Sequence, residues 1–201
     1  MIRNFIRQLL GTEAGAAASR DADPDDLFGM STAYITMDAE LGYPPSGEAA
    51  LCFGDVDSRD FRETLEEVAD ILEVGQDETD TTAEIRTDDH GYRWVVLSDG
   101  DTEDLLTSIH FAADTFVERG HGSRLLAALF AFERPDGGYA YWIYSFRRGS
   151  YYPFAPEGTG DRDDATELKL QGHLDGELDV ESAREYWYPL WPDRPGVHPW
   201  T

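Results

Sequence analysis

Two arginines followed by a run of aromatic residues are the most unusual chemistry in this chain of 201 residues. Arg147 and Arg148 stand side by side, and Tyr151, Tyr152 and Phe154 follow within the stretch Tyr144–Pro156. Guanidinium groups beside aromatic rings suit a carboxylate ligand or an acidic peptide, because the planar fork pairs with carboxylates and stacks on rings. These five residues are therefore the candidate binding surface. The structural alternative is that one arginine pairs with Asp161, Asp163 or Asp164 and pins the loop. Strand alternation continued from Tyr139–Phe146 would send the two arginines to opposite sides. One of the two then pairs internally and the other faces outward beside Tyr151 or Tyr152.

Other reactive residue types lack the spacing that chemistry needs. The histidines are His90, His110, His121, His173 and His198, and none has a second histidine at metal-ligand spacing. A metal site would have to be assembled entirely by the fold, and none is expected. The single cysteine, Cys52, permits no internal disulfide and sits in an apolar run, as a buried thiol would. Acidic pairs such as Asp163-Asp164 arise constantly in so acidic a chain and read as solvated faces. Ser123 lacks a nucleophile elbow, and no glycine loop cradles phosphate. No catalytic residue and no cofactor is expected.

The first eleven residues carry a different signal. Ile2, Phe5, Ile6, Leu9 and Leu10 recur at helical spacing, with Arg3 and Arg7 off the stripe and Gly11 ending it. Such a basic amphipathic helix contacts a partner or a membrane surface, or docks on its own domain. Residues 12–26, small and acidic, read as a linker from this helix to a single domain over 27–201.

The elements that must position these residues are read from periodicity and turn chemistry. Ala33–Met37 and Ala49–Phe53 suggest two strands joined by a long turn. Ser58 caps a helix whose face is Phe61, Leu65, Val68, Ile71 and Leu72, with Gly75 closing it. Ala83–Arg86 and Tyr92–Leu97 flank a hairpin turn. Asp101 or Thr102 opens a second helix, which ends at Gly120. Leu125–Glu133 and Tyr139–Phe146 flank Pro135–Gly138, the strongest turn signal in the chain. Ala165–Leu174 is a third helix, and Tyr186–Trp191 either caps the core or forms an exposed patch. The order ββ-α-ββ-α-ββ-α predicts one α+β domain, an antiparallel sheet with helices packed on one face.

Charge describes the solvent and excludes partners. Asp plus Glu total 41 against 16 Lys plus Arg, a formal net charge of −25, with Lys169 the single lysine. Repulsion of that size destabilises a compact state in dilute buffer, and molar salt screens it by shortening the Debye length to about 3 Å. The composition predicts a halophilic protein of a saline cytoplasm. A nucleic-acid binder needs a concentrated basic surface, which is missing. No apolar run approaches the roughly 20 residues of a membrane span.

Several segments together resemble the PspAB family, proteins associated with phage shock protein A. They are Phe5–Gly11, Cys52-Phe53, Gly91–Val96, Arg148–Pro156, Arg162–Leu168 and Trp187–Leu190 with Trp191. In the family the residue after Arg-Asp is commonly Asn, and here it is Asp164. The resemblance implies an archaeal or actinobacterial protein of the envelope stress response, whose partner is PspA or a membrane metalloprotease of the HtpX type. It implies no catalytic residues. Arg148, the arginine shared with the family segment, takes the internal role on this resemblance, and Arg147 faces outward. The expected function is a non-enzymatic regulatory protein acting by protein–protein binding, cytoplasmic or peripheral at the inner face of the membrane. The alternatives are a chaperone-like adaptor of secretion-chaperone or YbjN-like fold, and an enzyme binding an anionic substrate at Arg148 and Tyr152.

Overall fold

A computed structural model describes residues 21–54, 58–89 and 91–201. The candidate helix of Ile2, Phe5, Ile6, Leu9 and Leu10, most of the linker, and His90 lie outside the described residues. Within them the chain is an α+β domain built on one antiparallel sheet of six strands, β1 (Pro45–Phe53), β2 (Thr82–Thr87), β3 (Arg93–Ser98), β4 (Leu125–Glu133), β5 (Tyr139–Ser145) and β6 (Ser150–Phe154). Their order across the sheet is β2-β3-β1-β4-β5-β6, and every pairing is antiparallel. The four α-helices are α1 (Met30–Ile35), α2 (Arg59–Thr79), α3 (Thr102–Glu118) and α4 (Asp164–Leu174). A small ribbon of β7 (Pro156–Glu157) and β8 (Asp161–Arg162) precedes α4.

Local chemistry explains the elements that the sequence predicts well. Ser58 accepts a hydrogen bond from the Phe61 N–H at the start of α2, and Asp101 accepts from Glu103 and Asp104 at the start of α3. The consecutive apolar residues of β1, β4 and β5 are buried whichever way they point. Both sheet faces are therefore covered.

Four expectations need correction. Ala33–Met37 is helical, not a strand. It belongs to a helical stretch from Pro24 to Glu40, 3-10 at its start and π-helical at its end, with α1 between. The buried residues Leu27, Met30, Ala33, Tyr34 and Met37 follow a helical period that the β-branched Thr32, Ile35 and Thr36 obscure. The body consequently begins before Leu27: the Tyr151 hydroxyl donates to the Asp26 carbonyl, and Ala22 packs against the core. Gly75 does not end α2, which runs four residues further to a left-handed Asp80. Finally, Ser150–Phe154 is a sheet strand. Pro153 is tolerated there because β6 lies at the sheet edge, where a missing N–H leaves no neighbouring strand unpaired.

Helices cover one face, and the C-terminal tail covers the other. Leu51, Phe53, Phe130 and Trp142 point toward Phe61, Ile109 and Phe116 of the helical layer. Cys52, Trp94, Leu129, Ile143 and Tyr152 point the opposite way and pack with Trp187, Leu190 and Trp200. The tail crosses the strands as a strap. Val180 bridges to Tyr151 of β6, Trp191 meets Phe154, His198 meets Tyr141 of β5, and Trp200 meets Trp94 of β3. The segment around Trp187 therefore caps the core. Burial pushes the Cys52 thiol well above its ordinary pKa, which leaves it unreactive.

Candidate functional site

Arg147 and Arg148 occupy the hairpin turn between β5 and β6. Ser145 accepts from the N–H groups of both Arg148 (3.1 Å) and Gly149 (2.7 Å), and Gly149 takes a positive φ of 63° that favours glycine. The arginines are in the turn, so strand alternation does not govern their directions. Both are half-buried.

The internal role of Arg148 holds, with a different acid. Its Nε and Nη2 donate to Oε2 of Glu181, at 2.7 and 2.6 Å, and its guanidinium lies 3.9 Å from the Tyr186 ring centroid. Glu181 is fixed by the strap: its N–H donates to the Tyr151 carbonyl, its carbonyl accepts from the Trp187 indole, and its Oε1 accepts from the Ala183 N–H. The expected partners are engaged elsewhere. Asp163 caps α4 through Thr166 and binds the buried Arg134 at 2.8 Å, and Asp164 pairs with Arg184. Asp161 lies exposed in the β7–β8 ribbon.

Beside this pair lies a second clasp that sequence reasoning missed. Glu167, fully buried on α4, accepts from Arg162 (2.8 Å), from the Ala155 N–H (3.0 Å) and from Arg184 at 3.4 Å. Burial holds its carboxyl above the usual carboxylate range, against the pull of the hydrogen bond from Arg162. Arg162 also donates to the Trp187 carbonyl at 2.7 Å, tying the clasp to the strap. Tyr151, Tyr152 and Phe154 are each at most 2% exposed, so their rings form core and not the open surface the sequence reading expected. Tyr152 directs its hydroxyl to the Tyr188 carbonyl.

A third cluster gathers Glu48, His198 and Tyr141. His198 Nε2 lies 2.7 Å from a Glu48 carboxylate oxygen, and its Nδ1 lies 3.0 Å from the Tyr141 hydroxyl. The imidazole stacks on Trp200 at 4.6 Å, with the rings nearly parallel at 3°. The order carboxylate–imidazole–hydroxyl is that of a proton relay, yet Tyr141 is fully buried and the same burial drives its pKa far upward. The arrangement suits a lock that seats the strap. Its members are separated by up to 150 positions, and no local signal links them.

The geometry thus shows two arginine–carboxylate clasps and one histidine lock, all binding the C-terminal strap to the sheet. Sequence comparison adds the family: the model of PspA associated protein B matches residues 3–200. The chain belongs to the PspAB family. No curated protein and no solved structure matches it. The segments that carry the family resemblance, Arg148–Pro156, Arg162–Leu168 and Trp187–Trp191, are those that meet at the clasps. They are joined in space by Arg148–Glu181 and by Arg162 bridging Glu167 to Trp187.

Proposed function

We propose that this PspAB member is a non-enzymatic accessory protein of the membrane stress response that acts by binding PspA. The carrying observation is the family match across residues 3–200, since the family is described by its association with PspA. Geometry at the arginine segment weighs against the alternative of an anionic substrate held there. An anionic substrate at Arg148 and Tyr152 would have to displace Glu181 and reach a ring that is 1% exposed. No helix among the described residues is long and apolar enough to cross a membrane, so membrane proximity in this reading comes from the partner or from residues 1–11.

The test is affinity capture with the full chain against purified PspA of the same organism, in molar KCl. Retention of PspA, and its loss on adding excess untagged protein, is the expected result. Recovery of an HtpX-type membrane protease without PspA would replace the proposed partner. Retention of neither would remove the reading.

A further inference from the structure

The helical layer leaves an apolar seam open between α2 and α3. Helices α2 and α3 run antiparallel: Phe61 near the start of α2 packs on Phe116 and edge-on to His121 at the far end of α3. Glu67 and Arg119 pair across the outer side of this seam. Ile71 and Val74 follow Glu67 by four and seven residues, and Phe111 precedes Arg119 by eight, so all lie on the same outer flank. Their exposures are high for such side chains: 42% for Ile71, 79% for Val74 and 37% for Phe111. The floor between them is closed. Thr64 and Thr115 bond back to their own helices, and Ser108 lies 3.3 Å from the Thr81 hydroxyl. The rim carries Asp70 on α2 and Asp104 and Glu118 on α3, and its Glu63 and Glu67 pair with Arg59 and Arg119.

We propose that this seam is the seat of the chain's own N-terminal segment, residues 1–11, in the free protein. That segment offers what the seam lacks: a stripe of five large apolar residues, flanked by Arg3 and Arg7 with no acid before Glu13. At molar salt the Debye length is about 3 Å, so the charges act only where they touch and the apolar stripe carries the contact. The tether is long enough. Ala22 lies at the α3 C-terminus, where a Cβ on Gly122 would stand 3.1 Å from Val117 and 3.7 Å from Ala22. The ten residues 12–21 reach about 33 Å when extended. Crossing a helix of about 10 Å diameter and the roughly 9 Å from Val117 back to Phe111 falls within that reach. A short tether also supplies an effective concentration in the millimolar range, so a weak contact suffices to keep the seat filled. Any partner or membrane that takes residues 1–11 must then draw them from this seam. The inference concerns the free chain and stands or falls independently of PspA binding.

Paramagnetic relaxation in the full chain tests it. A nitroxide is placed at Gln8→Cys, off the apolar stripe, and buried Cys52 stays unlabelled. The methyl signals of Ile71 and Val74 should lose most of their intensity. Leu168 on α4, which packs on β6 at the opposite end of the sheet, should keep its intensity. Phe111→Asp on the seam, or Leu9→Asp on the segment, should restore the Ile71 and Val74 signals. Equal broadening at Leu168, no broadening at Ile71 and Val74, or signals unaltered by both variants would overturn the proposal. Broadening seen only between labelled and unlabelled molecules would also overturn it, assigning the seam to a second copy.

Discussion

Replacing Arg148 by alanine tests the clasp most directly. The Arg148 side chain is 21% exposed and Glu181 is 8% exposed, so the pair lies between the surface and fully buried limits. Exposed pairs contribute below about 1 kcal/mol, while breaking a buried one costs about 3–5 kcal/mol through the charge left behind. Interpolating for a pair four-fifths withdrawn from water, and including the lost stacking on Tyr186, gives a loss of about 2–3 kcal/mol. Glu181→Gln keeps the bond to the Ala183 N–H and leaves a cation that water can still reach, so its cost is about 1–1.5 kcal/mol. The double variant removes both charges, and the cycle should return a coupling of about 1–2 kcal/mol. Urea unfolding in molar KCl, followed by tryptophan fluorescence, measures all three. A loss below about 0.5 kcal/mol for Arg148→Ala, or additivity of the two changes, would refute the assignment. Pairing Arg148→Ala with Asp163→Asn provides the contrast: these should add, because Asp163 is held by Arg134 and Thr166.

Further predictions concern the strap, the lock and the solvent. Trp187→Ala empties a side chain that is 2% exposed and unties the indole bond to Glu181, so urea unfolding should show a loss of about 3–5 kcal/mol. Glu48 has its carboxyl held below the usual range, first by the hydrogen bond from His198, with partial burial opposing. Its contribution is therefore present above the ordinary glutamate pKa and lost as pH falls through the depressed value. Glu48→Gln should flatten part of the acid limb of a pH–melting profile below about pH 4, and an unchanged limb would count against the lock. With 41 acids against 16 bases, the melting temperature should rise from dilute buffer to molar KCl, and a flat or falling midpoint would remove the halophilic reading.

Elements with a local cause were legible in the sequence. The caps Ser58 and Asp101, the Pro135–Gly138 turn and the apolar run of β4 each act within a few residues, so composition and spacing reveal them. The same locality misled at Ala33–Met37, where β-branched residues imitate a strand and only burial against α3 and the sheet selects the helix. The aromatic run after Arg148 was conspicuous as a sequence, but its types alone did not distinguish an exposed surface from a strand beneath a strap. Continuous apolar runs in β1, β4 and β5 require two covered faces without naming the cover. Pairing decided the rest. Each arginine meets an excess of acids in the sequence, and ion pairing carries no preference for separation along the chain. Which carboxylate stands beside Arg148 is set by where the strap is hydrogen-bonded to β6, and that placement exists only once the tail has crossed the sheet.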